Sequence, residues 1–407
     1  MIMNCRICEN NKLITFLSLC HSPPANNLVK KEDFSNEESF PLELCFCKKC
    51  KLCQLSYIVP AEKMFKNYLY VSSTTKSLRI HFLEMAKTLT LKFNLDSDSI
   101  AVDIGSNDGV LLKGFKDVGI YSIGVEPAKN IAKIANENGL ETINDFFNED
   151  TVNKVIKLKG KADIITGSNV FAHIDDIKSV IRNVKTLLND NGVFVIEIQY
   201  IVDTIEKLTF DNIYHEHLSY FSLTSLKNLF ESEGMVIFDV EKVDTHGGSL
   251  RVYTQKISGR NAILNSVNDL IKYEDYIGIS NLKIYREFAE KVMNTKRVII
   301  TYLRDIKERN KLISGYGAPA KATTLLNFLE IGTEYIEYIV DDNPLKIGFF
   351  TPGTHIPIVS SEFLTKRKTD YLFILAWNYA KEILEKHKRL KEEGVKFIIP
   401  IPKPVII

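Results

Sequence analysis

The sequence predicts an α/β protein in which two doubly wound domains follow a small metal-binding module, and three observations predict this arrangement. All seven cysteines lie in the first 53 of 407 residues. The middle of the chain alternates apolar, strand-like runs with helical stretches, which is typical of a parallel sheet covered by helices. After a helix-rich stretch that starts near residue 259, the order of strand, glycine turn and helix occurs again. These changes place the domains at residues 1–72, 73–258 and 259–407.

Composition and charge exclude several classes of protein. The chain has 52 Lys and Arg residues against 51 Asp and Glu residues, a formal net charge of +1, so charge alone does not attract it to nucleic acid or to an anionic membrane. Hydrophobic residues make up 45% and charged residues 25%, as in globular proteins. The sequence has no run of about 18 apolar residues and no apolar leader near its start. We therefore expect a cytoplasmic protein, and a monomer is the simplest expectation for three fused domains with balanced charge.

Two Cys-x-x-Cys pairs in the N-terminal module predict a zinc site. The pairs are Cys5 with Cys8 and Cys47 with Cys50. Each pair places two thiolates on one tight turn, and four thiolates about 2.3 Å from Zn²⁺ complete a closed tetrahedral site. An odd number of cysteines in a cytoplasmic chain does not favour disulfides. Because a closed site has no open position for catalysis, we predict one structural zinc ion that stabilises a module with a small core.

The register of the second pair has an alternative, because Cys50-Lys-Leu-Cys53 has the same spacing. The residues from Lys51 onward have the pattern of a strand that follows the metal turn, which favours Cys47 and Cys50 as the ligands. Cys20, Cys45 and Cys53 are then small residues of the kind that proteins usually bury. A cysteine-rich core without metal is the other alternative.

A glycine turn in the middle domain predicts a pocket for a nucleotide-type ligand. An apolar strand runs into Asp103-Ile-Gly105-Ser-Asn-Asp-Gly109, after which a helix starts. The two glycines let the backbone approach a ligand, and the helix offers N–H groups. The next strand, which begins at Tyr121, ends in Glu126, and a carboxylate at that point can hold both hydroxyls of a ribose.

Two ligands compete for this pocket. A dinucleotide-binding turn has the pattern Gly-x-Gly-x-x-Gly, and here Asp103 stands in place of the first glycine. The pattern Asp-x-Gly-x-x-x-Gly, followed by Glu126, instead resembles the S-adenosylmethionine pocket of class I methyltransferases. S-adenosylmethionine has no pyrophosphate and does not need the third glycine, so the segment favours it over a dinucleotide.

Polar and titratable side chains follow the third and fourth strands of the middle domain. The third strand precedes Asn169 and His173, and the fourth precedes the run Tyr214-His-Glu216-His217. Ligands bind at the carboxyl ends of the strands in open α/β sheets. A histidine there can remove a proton near neutral pH, with Glu216 orienting its ring and a tyrosine hydroxyl stabilising a developing enolate.

Each of these histidines also has a simpler explanation. A histidine in a loop is commonly a hydrogen-bonded spacer, and the same holds for the glycine turn His246-Gly-Gly-Ser-Leu-Arg251. His215 and His217 could form a metal pair, although nothing nearby supplies the remaining ligands at a recognisable spacing. Because Tyr214, Glu216 and His217 occur together, we nevertheless interpret the run that starts at Tyr214 as an active-site loop.

A second glycine turn marks the C-terminal domain. A strand runs into Gly315-Tyr-Gly-Ala-Pro319-Ala-Lys321, and the next strand ends in Asp341 and Asp342. This arrangement could hold a nicotinamide dinucleotide, but Pro319 and Lys321 occupy the turn and the third glycine of that pattern is absent. Lys321 near a helix N-terminus would suit a pyrophosphate, and a purely scaffolding role is the alternative.

The order of these motifs resembles that of the sugar C-methyltransferases, which build branched deoxysugars on nucleotide-linked 4-keto sugars. The resemblance covers essentially the whole chain. The motifs that carry it are the two Cys-x-x-Cys pairs, Tyr68-Leu-Tyr70-Val-Ser-Ser73, Val102-Asp-Ile-Gly-Ser-Asn-Asp-Gly109, Asn169-Val-Phe-Ala-His173-Ile, Tyr214-His-Glu-His-Leu-Ser-Tyr-Phe221, His246-Gly-Gly-Ser-Leu-Arg251 and Gly315-Tyr-Gly-Ala-Pro-Ala-Lys321. There are two small departures, because the family usually has glycine where this chain has Lys51 and Ala322.

The resemblance implies a class I methyltransferase Rossmann-like domain, flanked by the zinc-binding module and by a second Rossmann-like domain that contributes to nucleotide-sugar binding. S-adenosylmethionine is the implied cofactor, held by Asp103, Gly105, Asn107, Gly109, Glu126 and Asn169. The implied catalytic residues are His217, Tyr214, Glu216, His173 and Tyr70. The substrate-binding residues are Tyr70, Tyr214, His246 and Lys321.

The reaction that the resemblance implies fits the residues. A 4-keto group acidifies the proton on the adjacent C3, His217 removes this proton, and the enolate attacks the methyl group of S-adenosylmethionine. Two other functions stay open on the sequence alone. One is an NAD-dependent oxidoreductase that uses the turn at Gly315. The other is a zinc-bearing binding module without catalysis, for which the basic run between Cys47 and Lys51 is short.

Overall fold

The computed structural model describes residues 4–60, 64, 72–74, 76–245 and 247–407 of the chain. Within these ranges no helix combines the length and the apolar character needed to cross a lipid bilayer. The strands are β1 (Leu13–Ser22), β2 (Phe40–Cys47), β3 (Cys53–Leu55), β4 (Ile100–Ile104), β5 (Tyr121–Val125), β6 (Thr142–Ile143), β7 (Ala162–Ser168), β8 (Leu188–Gln199), β9 (Ser219–Tyr220), β10 (Met235–Val243), β11 (Ser249–Lys256), β12 (Ile313–Tyr316), β13 (Ile339–Val340), β14 (Ile358–Val359), β15 (Tyr371–Ile374), β16 (Lys396–Ile399) and β17 (Val405–Ile406). The α-helices are α1 (Lys76–Lys92), α2 (Val110–Asp117), α3 (Lys129–Glu137), α4 (Glu149–Lys159), α5 (Ile177–Leu187), α6 (Ile201–Glu206), α7 (Leu223–Ser232), α8 (Asn265–Ile277), α9 (Leu282–Glu308), α10 (Ala320–Leu329), α11 (Phe363–Lys366), α12 (Ala380–Lys386) and α13 (Lys388–Glu392).

The N-terminal sheet has four antiparallel strands in the order β1-β2-β3-β9. Strand β1 pairs with β2 so that Leu13 lies opposite Cys47. This register brings the segment just before β1, which contains the first cysteine pair, next to the turn after β2. The fourth strand comes from the middle of the chain, because β9 pairs with β3 through Tyr220 opposite Cys53. The N-terminal module is therefore completed by a strand that follows the proposed catalytic loop.

The central sheet has seven strands in the order β10-β11-β8-β7-β4-β5-β6. The strands from β4 to β8 are parallel, and their apolar side chains, such as Val102, Ile165 and Phe194, are fully buried. At the β8 edge, β10 and β11 form an antiparallel pair. Only residues 244–248 join these two strands, and so short a connection cannot make a parallel crossover. The sheet is thus mixed, whereas the sequence predicts a parallel one.

The C-terminal sheet repeats the doubly wound arrangement on a smaller scale. Its order is β14-β13-β12-β15-β16-β17, with parallel pairs from β14 to β16 and an antiparallel strand β17 at one edge. Strand β12 leads into the second glycine turn, and helix α10 starts directly after Pro319. The turn therefore lies at the carboxyl end of a central strand, as the sequence predicts.

Two helices that precede the C-terminal sheet pack on the other two parts of the protein. The carboxylate of Glu274 in α8 is fully buried and accepts the N–H groups of Leu223 and Thr224, at 2.6 and 2.8 Å, where α7 begins. A carboxylate is favoured at this position because the first N–H groups of a helix have no partner within it. Tyr285 of α9 is buried between Phe16 and Phe46 of the N-terminal sheet, with ring centroids 5.0 and 4.6 Å apart. These contacts fix the three parts around the loops described next.

Candidate active site and zinc centre

The four predicted metal ligands lie together. The Sγ atoms of Cys5 and Cys50 are 3.3 Å apart, those of Cys8 and Cys47 are 3.5 Å apart, and all four lie within 4.8 Å of one another. Thiolates on a common zinc ion with bonds of about 2.3 Å are about 3.8 Å apart, so the cluster fits a tetrahedral zinc ion. The hydrogen bond between Cys5 and Cys50 lowers the pKa of the Cys5 thiol and raises the pKa of the Cys50 thiol.

The two metal turns have the same local geometry. In each, the N–H of the residue after the second cysteine donates to the carbonyl of the first, from Glu9 to Cys5 at 2.8 Å and from Lys51 to Cys47 at 2.9 Å. Both residues adopt left-handed φ angles, 59° for Glu9 and 66° for Lys51. This conformation is one that favours glycine over other residue types.

The remaining cysteines lie outside the cluster. Cys53 is fully buried in β3, Cys45 shares a hydrogen bond of 3.2 Å with Thr15, and Cys20 is exposed. The structure therefore brings together Cys47 and Cys50, rather than Cys50 and Cys53, with the first pair.

The first glycine turn forms a tight cradle at the carboxyl end of β4. Gly105 has a φ of 66°, and a Cβ atom there would lie 2.7 Å from Cγ2 of Val170. Gly109 has a φ of 83° and precedes the first residue of α2. Val170 lies three residues before His173, so the turn and the first histidine loop are in direct contact. The first turn of the helix presents N–H groups to the same cradle.

Two buried carboxylates flank the turn. Oε2 of Glu126 accepts the N–H of Asn107 at 3.0 Å, and its Oε1 accepts the N–H of Ala128 at 2.8 Å. Oδ1 of Asp103 accepts the hydroxyl of Thr166 at 2.7 Å, and burial raises the pKa of Asp103 to about 7. Burial also raises the pKa of Glu126. Both carboxylates have lone pairs left over, which can accept hydroxyl or amino groups of a ligand.

Orphaned polar atoms in the turn support a ligand at this place. Among the described residues, Oγ of Ser106 and Oδ1 of Asp108 are buried with no hydrogen-bond partner. Buried polar atoms rarely lack a hydrogen-bond partner, so a bound polar molecule would supply the missing hydrogen bonds. The turn offers carboxylates that accept hydrogen bonds, an amide, and backbone N–H groups that donate them. These groups fit the ribose and amino acid parts of S-adenosylmethionine, and the turn lacks the third glycine of a dinucleotide site.

Asn169 stands at the carboxyl end of β7, beside the turn. Its φ of 57° is one that asparagine tolerates better than most residues, and its N–H donates to the carbonyl of Glu197 at 2.8 Å. The Glu197 side chain is fully buried and pairs with Arg251 at 2.6 Å and with His81 at 2.8 Å. This paired charge anchors β8 and β11 next to the pocket.

His173 and His217 lie next to each other. Their ring centroids are 4.9 Å apart, and the ring of Tyr214 lies 4.1 Å from that of His217. Nδ1 of His217 is 2.9 Å from the carbonyl oxygen of Asn212. A carbonyl only accepts hydrogen bonds, so in the neutral ring Nδ1 carries the hydrogen and Nε2 carries the lone pair. The ring that the sequence identifies as a base is thus held by a backbone carbonyl in a base-competent tautomer.

Glu216 is 5% exposed and lies in the same loop. Its Oε1 accepts Nδ2 of Asn26 at 2.6 Å, and burial raises the pKa of Glu216 to about 7. The sequence suggests that Glu216 orients the His217 ring, whereas the contact at Nδ1 comes from Asn212. His215 is also buried, and its Nε2 is 3.2 Å from the carbonyl oxygen of Pro41, which is the hydrogen-bonded spacer role.

The second glycine turn reaches the same loop through Trp377. The ammonium group of Lys321 lies 3.9 Å from the centroid of the Trp377 ring and donates to Oδ1 of Asn378 at 2.5 Å. Nε1 of Trp377 in turn donates to Oδ2 of the fully buried Asp211 at 2.5 Å. Reduced hydration lowers the pKa of Lys321 to about 8, and burial raises that of Asp211 to about 6. A cationic side chain is therefore held beside the loop that carries His217.

Two of the predicted site residues, Tyr70 and His246, lie outside the described residues. Several residues of the site were not singled out from the sequence: Asn26, Asp211, Asn212 and Trp377. Asn26 and Trp377 come from segments far from the loop in sequence, and no local pattern marks them. Asn212 acts through its backbone carbonyl, which any residue type could supply.

The fold and the first glycine turn define a class I S-adenosylmethionine-dependent methyltransferase. Three family descriptions match in order: a zinc binding domain at residues 5–65, a methyltransferase domain at residues 78–239 and a C-methyltransferase C-terminal domain at residues 244–402. C-methyltransferase NovU from Streptomyces niveus is 36% identical over 407 residues, which covers 100% of this chain and 97% of that relative. The chain belongs to the C-methyltransferase family that these descriptions name.

Solved structures of other methyltransferases resemble part of this chain. A S-adenosylmethionine-dependent methyltransferase from Clostridium acetobutylicum is 12% identical, covers 46% of this chain and 94% of that chain, and has a TM-score of 0.36. Magnesium protoporphyrin IX methyltransferase from Synechocystis, with bound S-adenosylmethionine, is 11% identical, covers 44% and 82%, and has a TM-score of 0.33.

The family matches and the cysteine cluster confirm the predicted family, fold class, enzyme class and both cofactors, S-adenosylmethionine and zinc. The family match favours a methyltransferase over the two other functions, an NAD-dependent oxidoreductase and a binding module without catalysis.

Proposed function

We propose that this C-methyltransferase transfers the methyl group of S-adenosylmethionine to C3 of a nucleotide-linked 4-keto-deoxysugar. The observation that carries the proposal is the pair of adjacent histidines beside Tyr214. The His173 loop contacts the first glycine turn through Val170, and the His217 loop lies beside Lys321 and Trp377 at the second. One turn serves the cofactor and the other serves the nucleotide. This arrangement suits a reaction in which a base creates a carbon nucleophile between two bound ligands.

The proposed base is Nε2 of His217. The 4-keto group acidifies the proton on C3, and His217 takes this proton to leave an enolate. Tyr214 and His173 lie against the ring, and Glu216 precedes it in the chain; these three are the groups that would hold the sugar and the charge on its O4. With a pKa near 7, Glu216 can donate as well as accept a hydrogen bond near neutral pH. The proton on His217 returns to solvent after the transfer.

S-adenosylmethionine, when bound, supplies the electrophilic methyl group that C3 receives. We propose that Asp103, Gly105, Asn107, Gly109, Glu126 and Asn169 hold it. The contact between Gly105 and Val170 ties this pocket to the His173 loop. Because a shift of about 1 Å can cost a factor of about 100 in rate, such direct packing matters for the transfer.

We further propose that residues 1–72, 73–258 and 259–407 act as the zinc module, the cofactor domain and a nucleotide-binding domain. The position of Lys321 at the start of α10 supports a contact with the pyrophosphate of the nucleotide-sugar. We also expect a cytoplasmic monomer, with no nucleic acid or membrane partner.

The proposal is tested with S-adenosylmethionine carrying a ¹³C-methyl group and a panel of 4-keto-6-deoxyhexoses linked to dTDP, UDP, GDP or CDP. We expect one ¹³C-methyl group on C3 of at least one sugar by NMR. Incubation in D₂O with S-adenosylhomocysteine should exchange the C3 proton for deuterium. S-adenosylhomocysteine has no methyl group to transfer, so the enolate takes up deuterium from the solvent at C3 instead. A methyl group on C5, the other carbon beside the ketone, or on oxygen would contradict the proposed position. Absence of transfer to every sugar would contradict the substrate class.

Replacing Lys321 with alanine should raise the KM for the sugar nucleotide much more than it lowers kcat. A charged hydrogen bond contributes about 1.5–3 kcal/mol, which corresponds to a rise in KM of roughly 10–150-fold. The KM of the unchanged enzyme should also rise above about pH 8, where Lys321 loses its charge, and this rise should be absent in the variant. Lys391→Ala, at an exposed position of the same domain, is the matched control. An unchanged KM in Lys321→Ala would argue against the phosphate contact.

A further inference from the structure

Arg6 lies in the first metal turn, between Cys5 and Cys8, and its side chain bonds to the central domain. Only 4% of this side chain is exposed. Its Nη1 donates to the carbonyl oxygen of Leu218 at 3.0 Å, and its Nε donates to Oδ1 of Asp175 at 3.0 Å. One residue, fixed at its backbone by the metal turn, thus contacts two different loops.

These two partners of Arg6 are close neighbours in sequence of the two proposed active-site histidines. Leu218 directly follows His217, and Asp175 lies two residues after His173. The two loops also bond to each other, since the N–H of Leu218 donates to the carbonyl of Ala172 at 2.8 Å. Arg6 therefore connects the metal turn to the His173 loop and to the His217 loop, which are also bonded to each other.

We propose that Arg6 is a positioning residue, which fixes the His173 and His217 rings relative to each other from the zinc turn. A guanidinium group suits this task because its donors have a rigid planar geometry and can bond to two partners in defined directions. The role in proton removal rests on the proposed function, whereas the positioning itself can be measured without a substrate. A zinc ion bound by the four cysteines would support this role from a distance, by holding the backbone from which Arg6 reaches the loops.

The fold itself should survive the loss of this side chain. The carbonyl of Leu218 also accepts the N–H of Leu55 at 3.0 Å, so it keeps a partner when Arg6 is replaced. The Asp175 side chain is 63% exposed, so water can solvate its carboxylate. Neither of these two partners is left buried and unsatisfied, which is the situation that makes such replacements strongly destabilising.

The first test uses the imidazole groups as probes. The chain has eight histidines, and ¹⁵N–¹H spectra of the zinc-loaded protein can be assigned for the two rings with His173→Asn and His217→Asn. In Arg6→Met we expect the cross-peaks of His173 and His217 to shift while that of His387, in the C-terminal domain, stays in place. Arg182→Ala is the matched control, because it removes an arginine whose side chain is half exposed and pairs only with Glu233 in the described contacts. Unchanged cross-peaks of both rings in Arg6→Met would overturn the proposal.

The second test is kinetic and uses a dTDP-linked 4-keto-6-deoxyhexose as the probe. With one zinc ion still bound, Arg6→Met should lower kcat by about 100-fold, the cost of a displaced catalytic group, with the KM for the sugar and the Kd for S-adenosylhomocysteine unchanged. Arg6→Lys should recover part of kcat, because lysine keeps the charge and one donor. A raised KM with unchanged kcat, or a loss of activity that follows loss of zinc, would overturn the positioning role. No turnover by the unsubstituted protein would overturn the proposed substrate instead, and the imidazole spectra would still decide the role of Arg6.

Discussion

Replacing His217 with asparagine is expected to lower kcat by about 10²–10⁴-fold, the contribution typical of a general base. Asparagine has an amide that can still donate to the carbonyl of Asn212, so the loop should keep its shape. The proposed cofactor pocket consists of the turn at Gly105 and of Glu126, and it does not include His217. Calorimetric titration with S-adenosylhomocysteine should therefore give the same Kd for the variant as for the unsubstituted protein.

Proton exchange provides a second readout for the same variant. In D₂O with S-adenosylhomocysteine bound, His217→Asn should fail to exchange the C3 proton of the sugar, because removal of this proton needs no methyl group. His21→Asn is the matched control, since His21 is exposed and is not one of the proposed site residues. Full activity of His217→Asn would remove His217 as the base and leave His173 as the next candidate.

Replacing Cys47 with serine is expected to remove zinc and to lower the melting temperature by a large amount. Structural zinc sites bind with an apparent free energy of about 10–16 kcal/mol in zinc-finger peptides, and this binding energy is available to the fold. Metal analysis should show one zinc ion per chain in the unsubstituted protein and a much lower content in Cys47→Ser. Methyl transfer should fall as well, because β3 pairs with β9 directly after the His217 loop.

The matched control is Cys53→Ser, which changes the cysteine that competes with Cys47 for the same spacing. Cys53 lies in β3 and is fully buried, away from the sulfur cluster, so zinc content should stay at one per chain. The opposite result, with zinc lost in Cys53→Ser and kept in Cys47→Ser, would reverse the register of the second pair.

Much of the fold could be predicted from the sequence because the signals were local. An apolar strand, a glycine in a left-handed conformation and a helix start occupy consecutive residues, and so β4, the turn at Gly105 and α2 follow from one short segment. The cysteine pairs are equally local. The residue spacing within each pair encodes a turn, and four such ligands leave little choice of metal.

The features of the fold and the site that were not predicted depend on contacts between segments that are distant in sequence. The amide of Asn26 reaches Glu216, and Trp377 reaches Asp211, across separations that leave no periodic pattern in the sequence. The helical spacing near residue 259 predicts the helices α8 and α9, but it does not predict that Glu274 and Tyr285 bury them against the other two parts. The antiparallel direction of β10 and β11 was not predicted. The length of the connection between two strands determines their relative direction, and the residues of the strands do not.

The pairing of β3 with β9 also affects how the protein is made. Strands β1 to β3 leave the ribosome long before Tyr220, so the nascent chain carries a sheet with one open edge until the central domain has been synthesised. An open edge exposes N–H and C=O groups to which strands of other chains can add. The first domain to be translated is therefore among the last to be completed, and expressing it alone should yield a species prone to aggregation.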